Sequence, residues 1–85
     1  MPLKLRNELP FIRDQFRPNK PAISLYAKKL EHQGGYQNFE VRLAADCLST
    51  FVSADKICAW YKQYHASNSQ INAAARQVLR EMRII

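Results

Sequence analysis

Asn38-Phe-Glu-Val-Arg-Leu-Ala-Ala-Asp-Cys-Leu-Ser-Thr-Phe51 is the stretch on which the fold reading turns. Placed on a helix, Phe39, Val41, Leu43, Ala44, Ala45, Cys47, Leu48 and Phe51 cover more than half the circumference, and Glu40, Arg42, Asp46 and Ser49 fill most of the rest. A helix apolar on so wide an arc is packed by several neighbours. This segment is therefore expected at the centre of the molecule, with Asn38 as its N-cap.

Working outward from it, the next helix opens at Ser53, carries Asp55 and Lys56 in its first turn, and presents Ile57, Trp60, Tyr61 and Tyr64 as a narrow aromatic stripe. His-Ala-Ser-Asn-Ser (65–69) has loop chemistry, and Ser67 or Ser69 caps a last helix with Ile71, Ala74, Ala75, Val78, Leu79 and Met82 inward. On the other side, Gly34 or Gly35 supplies the left-handed cap of a helix spanning about Pro21 to His32, with Ile23, Tyr26, Ala27 and Leu30 inward. Before it lies a short helix from about Glu8 to Arg17, capped by Asn7, with Leu5, Leu9, Ile12 and Phe16 in one stripe. Pro18-Asn-Lys-Pro21 reads as a stiff linker between these two.

Composition agrees with a helical reading. Alanine and leucine total 18 residues whereas valine and threonine number four, and no window alternates with period two. The expected fold is all-α: one compact domain, residues 1–85, of about five short helices around a central third. Eighty-five residues leave no room for a second domain.

The formal charge of +6 is unevenly spread. Residues 1–30 carry +5, residues 31–66 carry −1 and residues 67–85 carry +2. Basicity therefore belongs to the two ends. Arg76, Arg80 and Arg83 fall at i, i+4 and i+7, which puts them on one face of the last helix. With Arg13, Arg17, Lys20, Lys28 and Lys29 they are the candidate phosphate contacts, since clustered guanidinium and ammonium groups bind nucleic acid by displacing its counterions. No residue is assigned to base readout.

A helix-turn-helix unit favours a small residue before its turn, a glycine in it and an aliphatic in the second helix. With Ile71 as the aliphatic, Tyr61 takes the small position and His65 the glycine position. Both are poor fits, and the loop after Gly34 and Gly35 runs too long before an aliphatic. This argues against a standard unit and leaves a variant open.

The alternative is a protein-interaction module, an adaptor or inhibitor of a larger assembly or a homodimer. Its contact residues would be Trp60, Tyr61 and Tyr64, or the apolar termini, Ile84 and Ile85 at one end with Leu3 and Leu5 at the other. Trp60 is more often core than surface at this spacing. A short amphipathic N-terminal helix on an anionic membrane ranks third, because Pro10 and Pro18 limit its length.

Other chemistry finds little support. His32, Cys47, Cys58 and His65 contain no short-spaced pair, and Cys58 and His65 stand ~10 Å apart along one helix. No metal, cofactor or catalytic residue is expected. There is no glycine-rich phosphate loop, Gly-x-Ser-x-Gly or His-Glu-x-x-His, so the expectation is a binding protein and not an enzyme. The start lacks an apolar signal region, which with unpaired cysteines makes a cytoplasmic location the default.

Overall fold

Helical turns follow one another without a gap from Pro2 to His32 in the computed structural model, which describes the backbone of residues 2–34 and 38–85 and the side chains of 5–34 and 38–85. A 3-10 segment, Pro2–Glu8, runs straight into α1 (Leu9–Phe16). A single 3-10 turn, Arg17–Asn19, then joins α1 to α2 (Lys20–His32). After a loop come α3 (Phe39–Phe51), α4 (Ala54–Tyr64) and α5 (Asn68–Glu81). The described residues form no strand, and none of their helices is long and apolar enough to cross a membrane.

The all-α expectation therefore stands, but among the described residues the helical bodies number four, because the two expected N-terminal helices are one continuous run. The reason lies in the prolines. Pro18 has no N–H to give an α-ladder, Pro21 falls in the first turn of α2 where none is needed, and Arg17 and Lys20 before them keep α-region dihedrals. The chain answers by tightening to 3-10 turns, with the Lys20 N–H on the Arg17 carbonyl, and the expected linker remains helical. Asn7 is likewise not a cap. It sits inside the first 3-10 segment, whose own turns already supply carbonyls to the amides at the start of α1. Gly34 takes the left-handed conformation (φ 86°) just past α2, as expected, and Gly35 lies outside the described residues.

Ser53 caps α4 through the Lys56 N–H, and Ser67 caps α5 in a reciprocal box with Gln70. Asn38 stands at the N-cap position of α3 without a side-chain bond.

The centre is shared between α3 and α5. Leu43, Ala44, Cys47 and Leu48 of α3 are buried, but Val41 and Ala45 face outward, so the apolar arc of α3 is narrower in use than in sequence. The last helix packs on α3, on α1 and on the N-terminal 3-10 segment, with Ala74 and Ala75 allowing close approach and Val78 and Leu79 fully enclosed. Leu5, Ile12, Phe16 and Trp60 are the largest of the other fully buried side chains in this core.

Candidate nucleic-acid interface

The basic ends of the chain meet. Arg13 in the last turns of α1, Arg17 in the 3-10 turn and Lys20 at the head of α2 line one open cleft together with Glu81, Met82 and Arg83 from the end of α5. The helical run from α1 into α2 makes this possible. Positions 13, 17 and 20 are spaced four and three apart, so they share one side of the run, with ~6 Å of rise between successive cations. Had the proline-flanked segment been an extended linker, Lys20 would have lost that phase.

Arg83 arrives by a different device. The last turn of α5 closes with the Arg83 N–H on the Arg80 carbonyl and the Ile84 N–H on the Leu79 carbonyl, both at 2.9 Å. These are the paired bonds of a Schellman motif, in which the residue here occupied by Arg83 is left-handed and usually glycine. Arg83 has φ 63°. An arginine there costs about 1–2 kcal/mol in backbone sterics, and the strained position is what brings its side chain to the cleft.

Arg83 is consequently not on the helical face expected for it. The α-helix ends at Glu81, and the left-handed residue breaks the i, i+4, i+7 progression from Arg76 and Arg80. Those two remain on α5, outside the cleft. Arg80 pairs with Glu40 of α3 at 3.1 Å, and the Arg76 Nε donates to Asn72 Oδ1 at 2.9 Å. Asn72 in turn donates to the Val41 carbonyl at 2.9 Å. Lys28 and Lys29 are exposed on α2 and do not line the cleft.

One carboxylate belongs to the cleft. Glu81 accepts from the guanidinium of Arg13, in a pair whose members are about one-third exposed. Solvent screening at that exposure limits its worth to ~1 kcal/mol or less. It leaves Arg17, Lys20 and Arg83 as cations without an ion-pair partner among the described residues. The cleft's lining holds neither hydroxyl, thiol nor imidazole. Its chemistry is multivalent attraction of an anion with an internal carboxylate as competitor.

A second groove, between α2 and α3, is electrostatically satisfied. There the Tyr26 hydroxyl donates to Asp46, and Arg42 lies 3.9 Å from the same carboxylate.

The candidate protein-contact residues fare unevenly. Trp60 is 0% exposed and its ring meets the Phe11 ring edge-on at 6.1 Å, so it is core. This agrees with the core position that its helical spacing favours, and Phe11 supplies the wall that encloses it. Tyr64 is half-buried and its hydroxyl donates to Glu8 at 2.6 Å. Ile84 and Ile85 pack partly buried against the core. Leu5 is buried too, and the Leu3 side chain lies outside those described. Tyr61 alone of the aromatic stripe is exposed, at 37%. Among the described residues no three potential metal-binding side chains cluster, and Cys47 is buried whereas Cys58 is exposed.

Two contributors were missed in the sequence. Glu81 directly follows Arg80 in the sequence, and nothing local signals that it faces Arg13 of α1. The left-handed turn at Arg83 had a faint signal, the apolar Ile84 following it, which packs as the motif's usual hydrophobic neighbour. Comparison of the chain with protein-family models, curated proteins and solved structures finds no match, so the functional reading rests on this geometry.

Proposed function

We propose that this chain is a small non-enzymatic nucleic-acid-binding protein, a regulator or accessory factor, that holds phosphates in the cleft between α1, the head of α2 and the end of α5. The observation that carries this reading is the convergence of Arg13, Arg17, Lys20 and Arg83, drawn from opposite ends of the sequence, on one cleft with a single carboxylate. Guanidinium groups suit the role because their planar donor fork matches phosphate oxygens. Separate basic ends would have contributed mainly to solubility. The protein-contact alternative retains only Tyr61 as an exposed aromatic from its stripe.

Fluorescence anisotropy with oligonucleotides across a salt series tests the reading. Four cations, each displacing about one counterion, give a slope of log K against log salt of about −3.6 on duplex, which is about a hundredfold loss between ~50 and ~200 mM. Changing Arg17 and Arg83 together to Ala is expected to flatten the slope by about two. Changing Lys28 and Lys29 to Ala is expected to leave most of it. Absence of binding at low salt, or a slope set by the α2 lysines instead, overturns the assignment.

A further inference from the structure

The turn between α4 and α5 is three residues long, His65-Ala66-Ser67. His65 is left-handed, with φ 49° and ψ 38°. That is the conformation for which a helix-turn-helix unit employs glycine, and it occurs at the position the spacing to Ile71 assigns to that glycine. Ala66 turns into the core, Trp60 and Ile71 are buried on either side, and Ser67 starts α5 with its capping box. The backbone thus executes the turn with the wrong residue in the glycine place.

Tyr61, standing where such units keep a small side chain, avoids a clash by pointing outward. Its hydroxyl donates to Asn68 Oδ1 at the head of α5, bracing the two helices from the solvent side. Meanwhile α4 packs on the N-terminal 3-10 segment, and the face of α5 turned away from the core is left as an open edge.

That edge carries Ser69, Ala73, Gln77 and Arg80, all exposed, with half-buried Arg76 among them. Arg76 is pre-positioned, since Asn72 holds its Nε and is itself anchored to the Val41 carbonyl. Arginine and glutamine are residue types that pair with two atoms of guanine and adenine in the major groove. From Ser69 to Arg80 the edge is ~16 Å long at the rise of an α-helix. Its far end runs into the cleft, because Glu81 and Arg83 follow directly.

We infer that the nucleic acid is duplex DNA, with the outward edge of α5 lying in the major groove and the cleft cations on flanking phosphates. This rests on the nucleic-acid reading above and narrows it. A groove about 12 Å wide admits a helix, whereas the deep, narrow major groove of duplex RNA does not. A single strand offers no groove at all.

The test compares one sequence presented as duplex DNA, single-stranded DNA and duplex RNA at low salt. It uses the native chain, Ala73→Trp and Ser69→Trp, with thermal melting to establish that each variant folds. Both substitutions place a bulky ring on the exposed edge, one turn apart, so one serves if the other fails to fold. The expected result is duplex DNA bound about tenfold more tightly than the other two, and a loss of about tenfold on duplex DNA alone in the variants. Equal or tighter binding of single-stranded DNA or duplex RNA overturns the inference and leaves the phosphate cleft standing. So does native-like duplex affinity in a folded variant. Binding of no nucleic acid in any form removes the cleft reading and this inference together.

Discussion

Arg83 sets stability against binding within one side chain. Its left-handed backbone is disfavoured for any residue with a Cβ, yet the Schellman closure of α5 requires that conformation there. Arg83→Gly is therefore expected to raise stability by about 1 kcal/mol, or ~4–8 °C in melting temperature for a domain of this size. The same change removes a cleft cation and is expected to weaken oligonucleotide binding. Melting and anisotropy on one preparation would show both, and a variant less stable than the native chain would refute the strain argument. Trp60 presents the opposite case, a residue that only the interior uses. Its ring is enclosed, but its indole N–H has no hydrogen-bond partner among the described residues. Trp60→Ala is expected to cost about 3–5 kcal/mol in urea titrations, a large share of the total for a small domain. Trp60→Phe keeps most of the packing and deletes the unpartnered donor, so it is expected to cost much less. Similar stability for the two variants would contradict the packing account.

At the scale of elements, two tyrosine hydroxyls join neighbours that apolar contacts alone would leave free to slide. Tyr26 links α2 to Asp46 of α3, and Tyr64 links α4 to Glu8, which also lies 4.0 Å from Lys56. Donating to a carboxylate favours the neutral phenol, so both hydroxyls titrate above the usual value of 10.0. The sign follows from linkage. A folded-state pKa raised above the unfolded one gives stability that is fully present below pH 10 and is lost as pH rises through the folded value. Urea midpoints are thus expected to fall on the alkaline side of pH 10, and less steeply in a Tyr26→Phe, Tyr64→Phe double variant. Parallel curves for the two proteins would rule these bonds out as the cause. The elements themselves were largely legible in the sequence, for local reasons. Ser53, Ser67 and Gly34 end or begin helices by bonds and backbone preferences confined to a few residues, so α2 to α5 fall close to where periodicity and caps place them. The 3-10 turns have no comparable signature. Proline reads as a breaker, and whether the chain breaks or merely tightens at Arg17–Asn19 depends on how α1 and α2 pack afterwards.

At the scale of the molecule, the candidate site escaped sequence reasoning because it joins groups that only folding brings together. Arg13 and Glu81 are 68 residues apart, and no local pattern pairs them. The consecutive residues Arg80 and Glu81 fan out to Glu40 of α3 and Arg13 of α1, so the end of α5 is fastened on both flanks. The basic character of residues 13, 17 and 20 was evident, but their common direction was not, since it required the helix to continue past Pro18. The packing of α1 against α5 also bears on how the chain is made. During synthesis Leu9, Ile12 and Phe16 leave the ribosome well before α5, the helix that packs over them. Until then α3 gives that stripe only part of its cover, through Phe51 on Phe16, and α2 to α4 stand on an unfinished core. Folding of this domain is therefore tied to the synthesis of α5, and until then the growing chain presents a hydrophobic surface of the kind that chaperones attend.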